Sequence, residues 1–333
     1  MEQKLSFSLV TSQNYPIQLA EDIAHAKKRV LITTMTLVND CNEVDTIINS
    51  LIAVAERGVN VSVSADSMTY LEPRRRLLEM GGRLARAKQA KTLRKKLIDA
   101  DVDFRWLGET KVGLIGRVHS KWAIVDDIVY SFGGVNLESE GFQNIDYMIK
   151  TENHELANFL ANEHERIRRA DRGGYSPKNR SKDFGNCAVI IDGGRTVRSA
   201  IYSRAKELAS IAKSTTLVSQ YCPSGSLARI LKKTDSKLYF NPPEKTRSLN
   251  TIVVKSAMAA SGLETAYTGD NYLHAKCIIF DTLGGEKIAL TGSHNFASLG
   301  MLLGTREVAL ETSDTRLIAE LESFISHNVA GDI

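Results

Sequence analysis

The sequence predicts an α/β fold made of two similar lobes. Three observations lead there: helix-like and strand-like stretches alternate along the chain, one ordered run of them occurs twice, and the same polar motif falls at the corresponding place in both runs. Each lobe is expected to hold a mostly parallel mixed sheet flanked by helices. With 333 residues the chain has room for about two domains. The expected division is a first lobe over residues 1–170, a linker over 171–186 rich in Arg, Lys, Gly, Ser and Asn, and a second lobe over 187–333.

In the first half, a helix over residues 17–28 leads into an apolar strand over 29–37, and a second helix over 44–57 ends at Gly58. A strand over 59–65 follows. Beyond a basic segment come a short strand around 102–107 and a hairpin over 118–132, and a helix over 152–169 closes the lobe. The second half repeats the order, with a helix over 196–213, a strand over 215–220, a short helix over 227–232, a strand over 237–240 and a hairpin over 273–290. The duplication is one of element order, not of wording.

Composition narrows the class. Hydrophobic residues make up 43% and charged residues 25%, ordinary globular proportions that exclude a disordered, collagen-like or coiled-coil chain. Cys41, Cys187, Cys222 and Cys277 lie far apart with no CxxC pair, which argues against a disulfide framework and a cysteine zinc site and fits a reducing compartment. No apolar run approaches the roughly 18 residues of a spanning helix, and the first ten residues lack the pattern of a secretory signal, so a cytoplasmic protein is expected.

Charge is unevenly distributed. Of a formal +4, residues 73–100 alone carry +8, from ten Arg and Lys against Glu79 and Asp99. Apolar residues interleave with these charges at helical spacing, broken at Gly81 and Gly82. The segment is either a solvated helical face or a contact for a polyanion, an anionic membrane surface or a nucleic acid backbone.

The hairpin block of the first half holds His119, Lys121, Asp126, Gly133, Gly134 and Asn136, an H-x-K-x4-D pattern followed after six residues by G-G-x-N. His274, Lys276 and Asp281 repeat the spacing, and Gly292, Ser293 and Asn295 follow after ten residues, the extra four falling at the turn marked by Gly284 and Gly285. Residues two apart on an extended strand share a face, so each histidine emerges beside its lysine, and one cleft can hold both pairs. The residues that follow, Trp122 to Val125 and Cys277 to Phe280, read as strands buried on both faces. At roughly one in twenty per specified position, chance recurrence of five positions is on the order of once in a few million starting points.

These residues resemble the phospholipase D superfamily, whose H-x-K-x4-D motif followed by G-[SG]-x-N occurs twice in its monomeric members. The resemblance covers nearly the whole chain and implies a duplicated phospholipase D-like fold with the active site at the lobe interface. It implies metal-free cleavage or transfer at a phosphodiester through a covalent phosphohistidine, with no cofactor. Chemistry agrees: one neutral imidazole can attack phosphorus while a second, protonated, donates to the leaving oxygen, and the roles then reverse. Lys121 and Lys276 supply fixed charge for the phosphate oxygens, and Asn136 and Asn295 add amide donors.

Carried over from the family, His119 is the expected nucleophile and His274 the general acid. Asp126 and Asp281 are ranked below them, being more often structural in the family. A later carboxylate commonly orients each histidine, and Asp146, ten residues after Asn136, and Glu307, twelve after Asn295, match that position. The first copy departs from the pattern in having Asp146 for the usual Glu and Gly134 for the common Ser.

Other features carry less. His154, Glu155, His164 and Glu165 form no HExxH pattern, so no metal site is expected. Gly193 and Gly194 read as a turn, His25 as surface, Trp106 and Tyr70 as packing, and Tyr272 as a cleft residue beside His274. The expected activity is phosphatidyl transfer on phospholipids, similar to cardiolipin synthases, or phospholipase D hydrolysis, with residues 73–100 docking an anionic membrane. The alternative is a nuclease or DNA-end-processing phosphodiesterase for which the same segment grips nucleic acid.

Overall fold

The computed structural model describes residues 5–71, 80–109, 115–246 and 249–331. The strands run β1 (Ser8–Thr11), β2 (Arg29–Thr34), β3 (Asn60–Asp66), β4 (Asp103–Leu107), β5 (Trp122–Val125), β6 (Ile128–Ser131) and β7 (Tyr147–Glu152) in the first lobe. The second lobe has β8 (Arg180–Asp183), β9 (Cys187–Gly193), β10 (Ala212–Ser219), β11 (Asp235–Phe240), β12 (Cys277–Thr282), β13 (Lys287–Gly292) and β14 (Arg306–Thr312). The helices are α1 (Tyr15–Ala24), α2 (Asn42–Glu56), α3 (Met68–Leu71), α4 (Met80–Asp99), α5 (Ser139–Gln143), α6 (His154–Arg172), α7 (Ala200–Ile211), α8 (Gly225–Leu231), α9 (Leu249–Ser261), α10 (Ser298–Leu303) and α11 (Thr315–Phe324).

Two seven-stranded sheets result, in the orders β1-β7-β6-β5-β2-β3-β4 and β11-β10-β12-β13-β14-β9-β8. The α/β duplication is thus present, but parallel pairing is confined to β2-β3-β4 and β10-β11 and every other pair is antiparallel, where a mostly parallel sheet was expected. Tight turns after Val125 and Thr282 return the chain antiparallel beside the strand it left, strands distant in the chain (β2 and β5, β10 and β12, β1 and β7, β9 and β14) also pair antiparallel, and only helical crossovers bring strands back parallel. The segment 171–186, expected as a linker, contributes the end of α6 and the edge strand β8, which pairs with β9.

The helices form where apolar spacing and caps coincide. Asn153 accepts the amide of Leu156 at 2.9 Å to start α6, which then buries Leu156, Leu160 and Ile167 along one face. Ser199 and Asp314 cap α7 and α11 in the same way, through the amides of Tyr202 and Leu317. Helix α7 stops at Ile211, two residues short of the expected end, because the chain from Ala212 on pairs with β12.

One core cluster joins the lobes. Phe132, Tyr147 and Leu160 from the first pack in it with Val308, Leu321 and Phe324 from the second, and the rings of Tyr147 and Phe324 meet edge to face at 4.9 Å. The Tyr147 hydroxyl also shares a 2.6 Å hydrogen bond with Thr291 Oγ1 across the same boundary. A shared core of this kind should unfold as a unit. Both tryptophans, Trp106 and Trp122, lie in the first lobe, so urea unfolding followed by tryptophan fluorescence is expected to coincide with unfolding followed by far-ultraviolet circular dichroism; a second, displaced dichroism transition would show the lobes unfolding independently.

Candidate active site

The two H-x-K segments enter the lobe boundary from opposite sides, and each is fixed by the other lobe. The amides of His119 and Ser120 both donate to the carbonyl of Arg306, at 2.9 and 2.8 Å, and the Arg306 amide donates to the carbonyl of Arg117. The mirror arrangement holds His274 and Ala275 on the carbonyl of Ile145, both at 2.9 Å, while the Ile145 amide donates to Tyr272. These are parallel bridges, Val118 with Arg306 and Ile145 with Leu273. Each motif therefore begins on the strand edge that carries the other lobe's carboxylate.

A second pair of residues, which the sequence reading did not single out, secures the same corners. Asp66, at the end of β3, accepts the amide of Val118 at 2.7 Å, and Asn241, just past β11, accepts that of Leu273 at 3.0 Å. They hold the residue immediately before each histidine. The only signal in the sequence is their common place at the ends of corresponding strands.

The carboxylates cross over. Glu307 Oε2 lies 2.9 Å from His119 Nδ1, and Asp146 Oδ2 lies 2.6 Å from His274 Nδ1. Each carboxylate orients the imidazole of the opposite lobe, not the histidine of its own motif copy. The backbone bridge explains this, because it places the start of β14 beside His119 and the residues just before β7 beside His274. With Nδ1 engaged, the free nitrogen of each ring is Nε2.

The departure of the first copy from the family pattern has a structural reason. In the second lobe Ser293 and Thr305 hydroxyls donate to the two oxygens of Glu307. In the first lobe the corresponding position is Gly134, whose amide donates to Asp146 at 3.2 Å. A Cβ there would sit 2.5 Å from Asp146 Oδ2, 2.9 Å from Lys276 Nζ and 3.0 Å from His274 Nδ1. The shorter carboxylate and the missing side chain go together.

Both lysines are buried, and each ammonium donates to the carbonyl of its own histidine, Lys121 to His119 at 2.7 Å and Lys276 to His274. Burial pushes Lys121 down to about 7, helped by the charge of Lys276, and burial pushes Lys276 down to about 8 against the pull of Asp146 and Glu307. Burial likewise lowers both imidazoles, with the lysine charges adding to it, and takes His274 to about 3. Glu307 is held down at about 2, the His119 contact outweighing its burial, and Asp146 is lowered through His274 in the same way. The resting site thus presents neutral rings oriented by ionised carboxylates, with two lysines beside them that are both ammoniums only below about pH 7.

Asn136 and Asn295 leave their side-chain oxygens buried without a partner. Asp126 and Asp281 do not belong to the site. They fall five residues beyond Lys121 and Lys276, about 16 Å along an extended strand. Asp126 accepts the amides of Lys27, Lys28 and Arg29 at 2.8 to 3.0 Å, and Asp281 accepts the Ser214 hydroxyl at 2.8 Å. The three amides lower Asp126 although burial alone would raise it. These residues tie strand corners together.

The other candidates separate clearly. Tyr272 is half-buried beside His274 and accepts a 3.1 Å bond from Gln220, while Trp106 packs edge to face on Phe104 and Tyr70. His164 is buried on Thr33 and Ser62, and His154 is exposed on Asp127. No group of metal-ligating residues occurs among the described residues. Residues 72–79, including Arg74, Arg75 and Arg76, lie outside the described residues; beyond them α4 buries Ala90, Leu93 and Leu97 and exposes Lys88, Lys91, Lys95 and Lys96.

Two depressed lysines make anion binding pH-dependent. A lowered lysine loses its charge earlier as pH rises, so affinity for a monoanion is full only well below about pH 7 and falls as Lys121 and then Lys276 deprotonate. Dimethyl phosphate keeps one negative charge throughout, and its binding is expected to weaken by roughly tenfold or more between about pH 6 and about pH 9; calorimetric titration showing a flat profile would contradict the lysine assignment.

The family described as "Cardiolipin synthase, PLD-like domain" matches residues 19–168. No curated protein sequence matches the chain. Among solved structures, the chain is similar to phosphatidylserine synthase from Haemophilus influenzae Rd KW20, with a TM-score of 0.69 and 18% identity over 97% of this chain and 86% of that one. It is also similar to polyphosphate kinase from Porphyromonas gingivalis, with a TM-score of 0.61 and 13% identity over 96% of this chain and 49% of the kinase, about half its length. At such identities the likeness is one of fold. No helix among the described residues is long and apolar enough to cross a membrane. The duplicated mixed sheets and the paired H-x-K motifs meeting at the lobe boundary thus accompany a family match over residues 19–168, so the first lobe is similar to the family described as "Cardiolipin synthase, PLD-like domain" and the chain as a whole shares the fold of the phosphatidylserine synthase.

Proposed function

We propose that the chain transfers a phosphatidyl group between alcohols on phospholipids, in the manner of a cardiolipin synthase-like phosphatidyltransferase, with water as a competing acceptor. The observation that carries this reading is the pair of imidazoles from opposite lobes, each held through Nδ1 by a buried carboxylate and each flanked by a buried lysine. The family matched over residues 19–168 and the fold shared with a phosphatidylserine synthase support lipid over nucleic acid as substrate.

The geometry supports the following reaction. The diester's charge is met by Lys121 and Lys276, with Asn136 and Asn295 adding amide donors. That same negative charge raises the proton affinity of the imidazoles, so one ring takes up a proton and becomes the acid. His119 Nε2 attacks phosphorus; the P–O bond to the headgroup breaks, and the departing oxygen takes the proton from His274 Nε2. His274, now neutral, accepts a proton from the incoming alcohol, whose oxygen attacks phosphorus, breaks the P–N bond and returns His119 neutral. Glu307 and Asp146 stabilise whichever ring is cationic.

The test is incubation in EDTA with vesicles of phosphatidylglycerol and phosphatidylethanolamine, following lipid products by mass spectrometry. Cardiolipin is expected from the wild type, and His119→Ala and His274→Ala are each expected to slow its formation on the order of a thousandfold or more. Phosphatidic acid alone would make water the acceptor. Absence of any lipid product, with cleavage of DNA instead, would overturn the lipid assignment, and full activity in either variant would remove that histidine from the mechanism.

A further inference from the structure

Of the ten large apolar side chains that stand exposed among the described residues, five gather at one place. Leu299 and Leu302 on α10 are 42% and 50% exposed, Val197 62%, Ile115 56% and Tyr175 52%. Scattered exposed leucines are ordinary; a gathered set needs a reason.

Backbone contacts bring these residues together. The amide of Gly116 donates to Leu303 at 2.9 Å, and that of Val197 donates to Met301 at 2.9 Å. Gly304, which ends α10 at a φ of +63°, lies so close to the 194–196 turn that a Cβ would be 2.7 Å from Gly194 O and from Thr196 N. Arg195 Nε and the Arg306 guanidinium donate to the carbonyls of Ser176 and Tyr175, which fastens the third segment to the other two. Val197 itself has a φ of +62°, a region that β-branched residues rarely adopt, and the turn holds it there with its side chain in solvent.

The surrounding charge is basic. Arg172, Lys178 and Arg198 are exposed on the same segments. The patch also borders the cleft: Gly116 is three residues from His119, and Leu303 is four from Glu307. Exposed aliphatic side chains, one tyrosine and a rim of Arg and Lys form the composition that partitions into the headgroup layer of an anionic bilayer.

We propose that α10, with Ile115, Tyr175 and Val197, is the surface by which the protein docks on an anionic phospholipid bilayer, bringing headgroups to the His119 side of the cleft. This rests on the phospholipid reading above and moves the membrane contact away from the basic segment 73–100 expected from sequence.

The test pairs Leu299→Ser with Leu302→Ser, exposed positions whose replacement should leave the fold intact by circular dichroism. The wild type is expected to sediment with vesicles of phosphatidylcholine and phosphatidylglycerol, and the double variant to bind them at least tenfold more weakly while turning over a monomeric short-chain phosphatidylglycerol at the wild-type rate. Vesicle binding unchanged in that variant, or lost instead on reversing Lys88, Lys91 and Lys95 of α4 to Glu, would overturn the proposal. So would a wild type that turns over phospholipid but binds no vesicle. Failure of the wild type to act on monomeric and vesicle lipid alike would instead count against the phospholipid reading, since sedimentation is measured without turnover.

Discussion

The site depends on an exchange between the lobes. Each lobe lends a carbonyl and a carboxylate, from the residues just before β7 or from the start of β14, to the histidine of the other, so neither lobe contains a complete histidine–carboxylate pair by itself. Energetics make this exchange obligatory. Lys121, Lys276, Asp146 and Glu307 are each 3% exposed or less, and charges so buried are tolerated only when they meet opposite charge and hydrogen-bond donors at short range. Separating the lobes would leave four ionised groups without those partners, which is why the core is continuous across the boundary and why Tyr147, Thr291 and Phe324 pack at it.

The duplication is not a copy. Ser293 and Thr305 brace Glu307, whereas Asp146 is braced by backbone amides at Gly134 and Tyr147. The first arrangement holds a longer carboxylate with hydroxyls; the second brings main chain against a shorter one and leaves no room for a side chain at residue 134. Burial and the lysine charges act on both rings, and His274, gripped at 2.6 Å with only 7% of the residue exposed, is the more enclosed. Two rings in unlike surroundings are suited to unlike tasks.

Much of this is legible in the sequence, and what is not has a definite cause. The H-x-K spacing fixes which side chains share a strand face, so His119, Lys121, His274 and Lys276 can be named without coordinates. Asp146 and Glu307 can be named too, but a distance counted along the chain cannot say which imidazole a carboxylate meets, because the partner is chosen by a bridge between lobes. The strictly repeated position of Asp126 and Asp281, ranked below the histidines, reflects a repeated strand corner. Asp66 and Asn241 differ in residue type, so no repeated letter marks them. Strands β7 and β14 went unread because charged residues, Lys150, Glu152, Arg306 and Glu307, sit in short runs that the sheets bury. The two hairpins were legible, but the other antiparallel pairs were not, since the order of elements along the chain does not show that β2 pairs with β5, β10 with β12, β1 with β7 or β9 with β14.

The most direct measurement separates the two histidines in time. With a p-nitrophenyl phosphodiester the leaving group needs no proton, so in His274→Ala the His119 imidazole should still attack phosphorus and release p-nitrophenolate, and the adduct should then stall for want of a base. Stopped-flow absorbance is expected to show a burst of about one p-nitrophenolate per chain, with an adduct on His119 found by mass spectrometry after an alkaline quench. Steady release without a burst, or an adduct on any other residue, would contradict a shared site in which one lobe's imidazole attacks and the other's moves the proton.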